Sequence, residues 1–210
     1  MSHIVLLGDS IFDNGVYVPG EPDVVKQLRA ALPEGWTASL LAVDGAVTRN
    51  VPSQLARMPS DATHLVVSVG GNDALGESHL LSASARLVGE AVMMLADAQE
   101  RFAKYYAEML RSVLALRLPT ALCTIYDTPP SAPNHRMIRT ALALFNDMIT
   151  RAAFSEGLPL IDLRLICNEE EDYANPIEPS ARGGEKMAAA IAGLVTSAGE
   201  SEPRSIVVAA

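Results

Sequence analysis

The chain has 210 residues, 49% of them apolar, and 25 acids against 16 bases give it a formal charge of −9. That length suits one sizeable domain with a buried core, and an acidic balance with no basic cluster works against nucleic acid as a partner. No stretch reaches the roughly 20 uninterrupted apolar residues that span a bilayer, and an apolar strand candidate starting at His3 or Ile4 leaves no room for a leader. A soluble, cytoplasmic protein with no membrane attachment is expected.

Cys123 and Cys167 each sit inside an apolar run, as buried reduced thiols do. The four histidines, His3, His64, His79 and His135, are scattered without metal-ligand spacing. Neither metal nor cofactor is expected.

In chain order, Ile4–Leu7 is an apolar run that stops at Gly8-Asp9-Ser10, the pattern of a strand buried on both faces. Ser10 then lies just past a strand end, on the edge where open α/β sheets bind ligands. Glu21–Leu32 has a helical rhythm closed by Pro33 and Gly35. Trp36–Val43 reads as a second strand ending at Asp44-Gly45, Val51–Met58 as a short helix, and His64–Val69 as a third strand ending at Gly70-Gly71-Asn72-Asp73. From Glu77 to Leu118 the pattern is helical, and Gly89 divides it in two. The first piece is apolar enough to be a lid over the crevice or a core helix.

Pro119–Tyr126 is a fourth strand, Asp127–Asn134 a proline-rich loop, Arg136–Phe154 a helix and Leu158–Ile166 a fifth strand. A last helix runs from about Ala181 to Thr196, after Asn175-Pro176-Ile177-Glu178-Pro179-Ser180. Strands alternating with helices imply crossover units and a parallel sheet. The expected fold is a three-layer α/β/α sandwich with a five-stranded parallel sheet. One domain spans 1–197; 198–210 is a tail, whose Ile206-Val207-Val208 has the composition of an edge strand.

Three strand ends bring small polar signatures to one side of the sheet. They hold what acyl transfer needs: a hydroxyl nucleophile, Ser10, and oxyanion donors in the Ser10 N–H, the Gly45 N–H and the Asn72 amide. Each such donor typically supplies about 3 kcal/mol in the transition state. The first loop has too few glycines and no lysine to cradle a phosphate.

Gly8-Asp9-Ser10, Gly45 and Gly70-Gly71-Asn72-Asp73, in that order and on those strands, resemble the first three blocks of the SGNH, or GDSL-type, hydrolases. The resemblance covers Ile4 to about Val195. It implies a flavodoxin-like fold, a serine nucleophile without metal or cofactor, and hydrolysis of esters or acetyl groups on small molecules.

The last block departs from the family's pattern, an aspartate, two residues, then a histidine and a proline. Asn175 and Glu178 stand in those places, with Pro179 retained. In one reading Glu178 is the base for Ser10, assisted by Arg49, four residues beyond Gly45. A carboxylate of pKa about 4.3 is a weaker base than an imidazole of about 6.5; burial raises it and a nearby cation lowers it. In a second reading His79 or His135 supplies the base. In a third the fold keeps its pocket without chemistry, as a module that binds a small molecule or glycan. The joint presence of serine, glycine and amide favours a serine esterase acting slowly on short-chain or activated small esters. Asp13 and His135 are candidate substrate contacts, Asp9 and Asp73 turn-holding carboxylates. The apolar first helical piece and tail leave room for a homodimer.

Overall fold

A computed structural model describes residues 2–196 of the chain. The tail expected beyond Ser197, with its edge-strand candidate, lies outside the described residues.

The first strand, β1 (Ser2–Gly8), is apolar on both faces because both faces are covered. Ile4 and Leu6 point to one layer and Val5 and Leu7 to the other, all fully buried. It pairs in parallel with β2 (Trp36–Leu40) on one side and β3 (His64–Ser68) on the other; β4 (Thr120–Cys123) and β5 (Leu160–Ile161) extend the sheet. The strand order is β2-β1-β3-β4-β5, every neighbour parallel, as expected for a flavodoxin-like sandwich.

Helices α1 (Val24–Ala31) and α7 (Ala181–Thr196) cover the Ile4–Leu6 face, while α4 (Val88–Leu114) and α5 (His135–Ser155) cover the other. The Asp23 carboxylate caps α1 by accepting the Lys26 N–H at 2.9 Å. Close packing at α7 requires a glycine: a Cβ at position 183 would lie 2.2 Å from the Asp172 carbonyl oxygen. Burying each Leu, Ile or Val of these two cores stabilises the fold by about 1.5–3 kcal/mol before chain entropy is counted.

Two expectations need correction, and one element was not foreseen. The fifth strand is only two residues long, because Leu163–Ile166 turns into the short helix α6 with Asp162 accepting the Arg164 N–H as its cap. The division of the 77–118 stretch falls at 83–87, ahead of Gly89, which sits in the first turn of α4, where glycine costs little. Before it come α3 (Gly71–Gly76) and a 3-10 turn over Ser78–Ser82. Lastly, the segment before the final helix is a two-stranded antiparallel ribbon, β6 (Tyr173–Asn175) and β7 (Glu178–Pro179).

Candidate active site

The turn after β1 is forced by sterics. Gly8 has φ +129°, and a Cβ there would lie 1.7 Å from the Ser68 carbonyl oxygen on β3, so only glycine lets the two strand ends close. Gln54, from α2 (Val51–Leu55), locks the spot: its Oε1 accepts the Gly8 N–H at 2.9 Å and its Nε2 donates to the Gly8 carbonyl at 2.7 Å. Asp9 then holds the loop, its carboxyl accepting the Ile11 N–H and its carbonyl those of Phe12 and Asp13. Ser10 is set at the carboxyl edge of the sheet, 5% exposed.

The three strand-end loops are laced together. Asp13 accepts the Asp44 N–H at 3.0 Å, joining the first loop to the second. The Asn72 amide donates to the Ala46 carbonyl at 3.0 Å, and Asp73 accepts both the N–H and the hydroxyl of Thr48, joining the second to the third. Asp9 and Asp73 are thus turn-holding carboxylates, with Asp73 reaching across loops. Neither the Ser10 N–H nor the Gly45 N–H has a protein acceptor among the described residues. Gly45 takes φ +75° at an exposed turn on the outer rim, whereas Asn72 lines the cavity beside Ser10.

The ribbon delivers Glu178. Asn175 closes its turn by accepting the N–H groups of Ile177 and Glu178, each at 3.0 Å. Tyr126 donates its hydroxyl to the Ile177 carbonyl at 2.9 Å and stacks edge-on against Tyr173. Asn14 reaches from the first loop with its amide to the Pro179 carbonyl, while its oxygen accepts the Val24 N–H at the start of α1. Tyr126→Phe is expected to cost about 1–3 kcal/mol, since it leaves the Ile177 carbonyl without its partner. A thermal melt of the variant against the wild type reads this.

Glu178 is 5% exposed and its Oε2 is buried without a hydrogen-bond partner. Burial pushes its carboxyl up to about 7; the neighbouring Ser10 hydroxyl, acting as donor, pulls it partly back, and the negative charge of Asp44 raises it again. Asp9, more deeply buried, is pushed up to about 8, first by desolvation and then by the charges of Glu178 and Asp73, against the hydrogen bond from Ile11. Both groups line a cavity with Ser10 and Asn72.

The remaining sequence candidates fall elsewhere. Arg49 lies over the Tyr105 ring, 4.6 Å from its centroid, in a separate hollow, and it is not among the groups that act on Glu178. The assisting role expected for it needs a contact this placement does not provide, because the exposed guanidinium has an aromatic face to rest on instead. Asp13 is spent on Asp44. His135 opens α5 and lies 3.0 Å from both the hydroxyl and the carbonyl of Thr128, outside the cavity lining. His79 is exposed, with Nδ1 3.3 Å from the Gly76 carbonyl, and also lies outside that lining.

Sequence reasoning missed Gln54, Tyr126 and the bridging role of Asn14. A glutamine or tyrosine inside an apolar run carries no local mark of a backbone partner some 46 or 51 residues away. Among the described residues no cluster of three or more His, Cys, Asp or Glu side chains is placed to hold a metal, and no helix is long and apolar enough to cross a membrane.

A five-stranded parallel sheet with helices on both faces, and a serine-bearing cavity at its carboxyl edge, defines a three-layer α/β protein with its site at the strand ends. The chain belongs to the GDSL-like lipase/acylhydrolase family, whose model matches residues 6–186. Solved structures share the fold. An extracellular lipase from Streptomyces rimosus is 17% identical with a TM-score of 0.67, covering 94% of this chain and 100% of that one. The M. smegmatis aryl esterase is 15% identical at 0.67 (94% and 99%), and Est24, a carbohydrate acetylesterase from Sinorhizobium meliloti, 13% identical at 0.68 (94% and 99%). No curated protein matches the sequence significantly.

Proposed function

We propose that this chain hydrolyses small carboxylic esters through an acyl-enzyme on Ser10, with Glu178 as the base. The observation that carries this reading is the buried Glu178 carboxyl, which has Ser10 as its neighbour in the cavity and one oxygen without a partner. Burial places that carboxyl at about 7, close to the about 6.5 of an ordinary imidazole, so the basicity lost with the family's histidine is largely restored.

In the first half-reaction the Ser10 oxygen attacks the ester carbonyl as its proton passes to Glu178. Negative charge on the former carbonyl oxygen is met by the Ser10 N–H and the free N–H of the Asn72 amide, the two expected donors whose residues line the cavity; Gly45, on the outer rim, is not one of them. Glu178 then gives its proton to the departing alcohol. In the second half-reaction Glu178 takes a proton from water, the hydroxide oxygen adds to the acyl carbon, and the proton returns to Ser10 as the carboxylic acid leaves. Burial, with the Asp44 charge added, raises the basicity of Glu178 without a cation taking part.

The test is covalent trapping. A fluorophosphonate reagent incubated with the protein is expected to add one label, located on the Ser10 peptide by mass spectrometry and absent from Ser10→Ala. A label found elsewhere, or none, refutes the assignment.

A further inference from the structure

The proposed reaction uses only one end of the cavity. The cavity measures about 210 Å³. An acetyl group fills only about 90 Å³, counting each heavy atom at the ~30 Å³ that a water takes in the liquid. Asp9, Asn72 and Glu178 line the cavity with Ser10, and Glu77 and Asp127 are further polar groups in the lining. Beyond them the walls are apolar: Leu80 and Leu81 from the 3-10 turn, Leu95 from α4, and Ile138, Leu142 and Phe145 from α5. A carbonyl seated at Ser10 leaves its hydrocarbon tail nowhere better to go than between these helices.

Charge sets a second limit. The ionisable groups lining the cavity are Asp9, Glu77, Asp127 and Glu178, with no lysine, arginine or histidine among them. Glu77 is held by Arg101, in a pair that points away from use as an anion site. An anionic alcohol portion would find no cation in the lining to offset its loss of hydration, whereas an uncharged one meets no such penalty.

Resting on the esterase reading, we infer that the preferred substrates are uncharged esters of medium-chain fatty acids, about the size of an octanoyl group, with the acyl chain lodged between the 3-10 turn, α4 and α5. The short-chain expectation drawn from the missing imidazole concerned the rate of the chemistry and had no view of this cavity. Each methylene removed from water is worth about fourfold in kcat/KM.

The experiment compares kcat/KM for p-nitrophenyl acetate, butyrate and octanoate, and for monooctanoylglycerol against its 3-phosphate. Octanoate is expected to exceed acetate by at least about 100-fold, and the uncharged glycerol ester to exceed its phosphate by tenfold or more. Ala141→Trp, which fills the lining of the apolar end, is expected to lower the octanoate-to-acetate ratio at least tenfold. An equal or inverted chain preference, an equal rate on the phosphate, or an unchanged ratio in folded Ala141→Trp overturns the inference. Saturation-transfer NMR of Ser10→Ala with methyl octanoate and methyl acetate separates the two readings. Octanoate binding without turnover in the wild type removes the esterase and leaves the acyl site standing. Turnover that favours acetate removes the acyl site and leaves the esterase.

Discussion

Ser10→Ala is expected to cut ester turnover by at least about 10³-fold, because loss of the nucleophile removes the whole covalent route while leaving the oxyanion donors in place. The loss is smaller than in enzymes with a full triad, since a carboxylate base gives a slower wild type to fall from. Folding should be nearly untouched. Gly8 and Gln54 fix the turn through the backbone, and Asp9 holds the loop without the serine hydroxyl. Initial rates on p-nitrophenyl butyrate, with thermal melts alongside, check both halves. Equal rates for variant and wild type would end the case for Ser10.

Glu178→Gln is expected to lower kcat/KM by about 10²–10⁴-fold, the usual worth of a positioned general base. The pH profile makes the assignment specific. Glu178 acts only when deprotonated, and its carboxyl is pushed up to about 7. Wild-type activity should therefore be low at mildly acid pH, climb through neutrality and level off above it, while the residual activity of Glu178→Gln lacks that step. A wild-type profile with its midpoint in the ordinary carboxylate range would place the base elsewhere.

Stability should run the opposite way. Glu178 and Asp9 have folded-state pKa values raised to about 7 and about 8 from ordinary values of 4.5 and 3.8, so the folded chain holds protons that the unfolded chain releases. Their contribution to stability is complete below the ordinary carboxylate range and is lost as pH rises through those folded values. Glu178→Gln removes one of the two groups and should flatten that decline. Melts across the same pH series as the rates separate a missing base from a damaged fold.

Much of the frame was legible from residues 1–126 because the signals there are local. Ile4–Leu7 and Leu65–Val67 are short apolar runs that stop at glycines, and Gly8, Gly45 and Gly70 all take positive φ where the strands end. The convergence of Ser10 and Asn72 on one cavity followed from topology, since parallel strands put their ends on one edge. The fifth strand was read too long because Leu158–Ile166 is apolar at most positions, and only the Asp162 cap reveals where helix begins. The ribbon was invisible because Asn175-Pro176-Ile177 has turn composition, while its partners Tyr126 and Asn14 lie far away in sequence. Arg49 was placed on the right rim but aimed wrongly; proximity to Gly45 in sequence says nothing of the Tyr105 ring 56 positions on.

The groups that secure the ribbon all grip its main chain. Tyr126 and Asn14 take the carbonyls of Ile177 and Pro179, and Asn175 takes two N–H groups through an oxygen that an aspartate would offer equally. None of these bonds uses the side chain at position 178. The main-chain path of the ribbon is therefore held by bonds that do not depend on whether residue 178 carries a carboxylate or an imidazole.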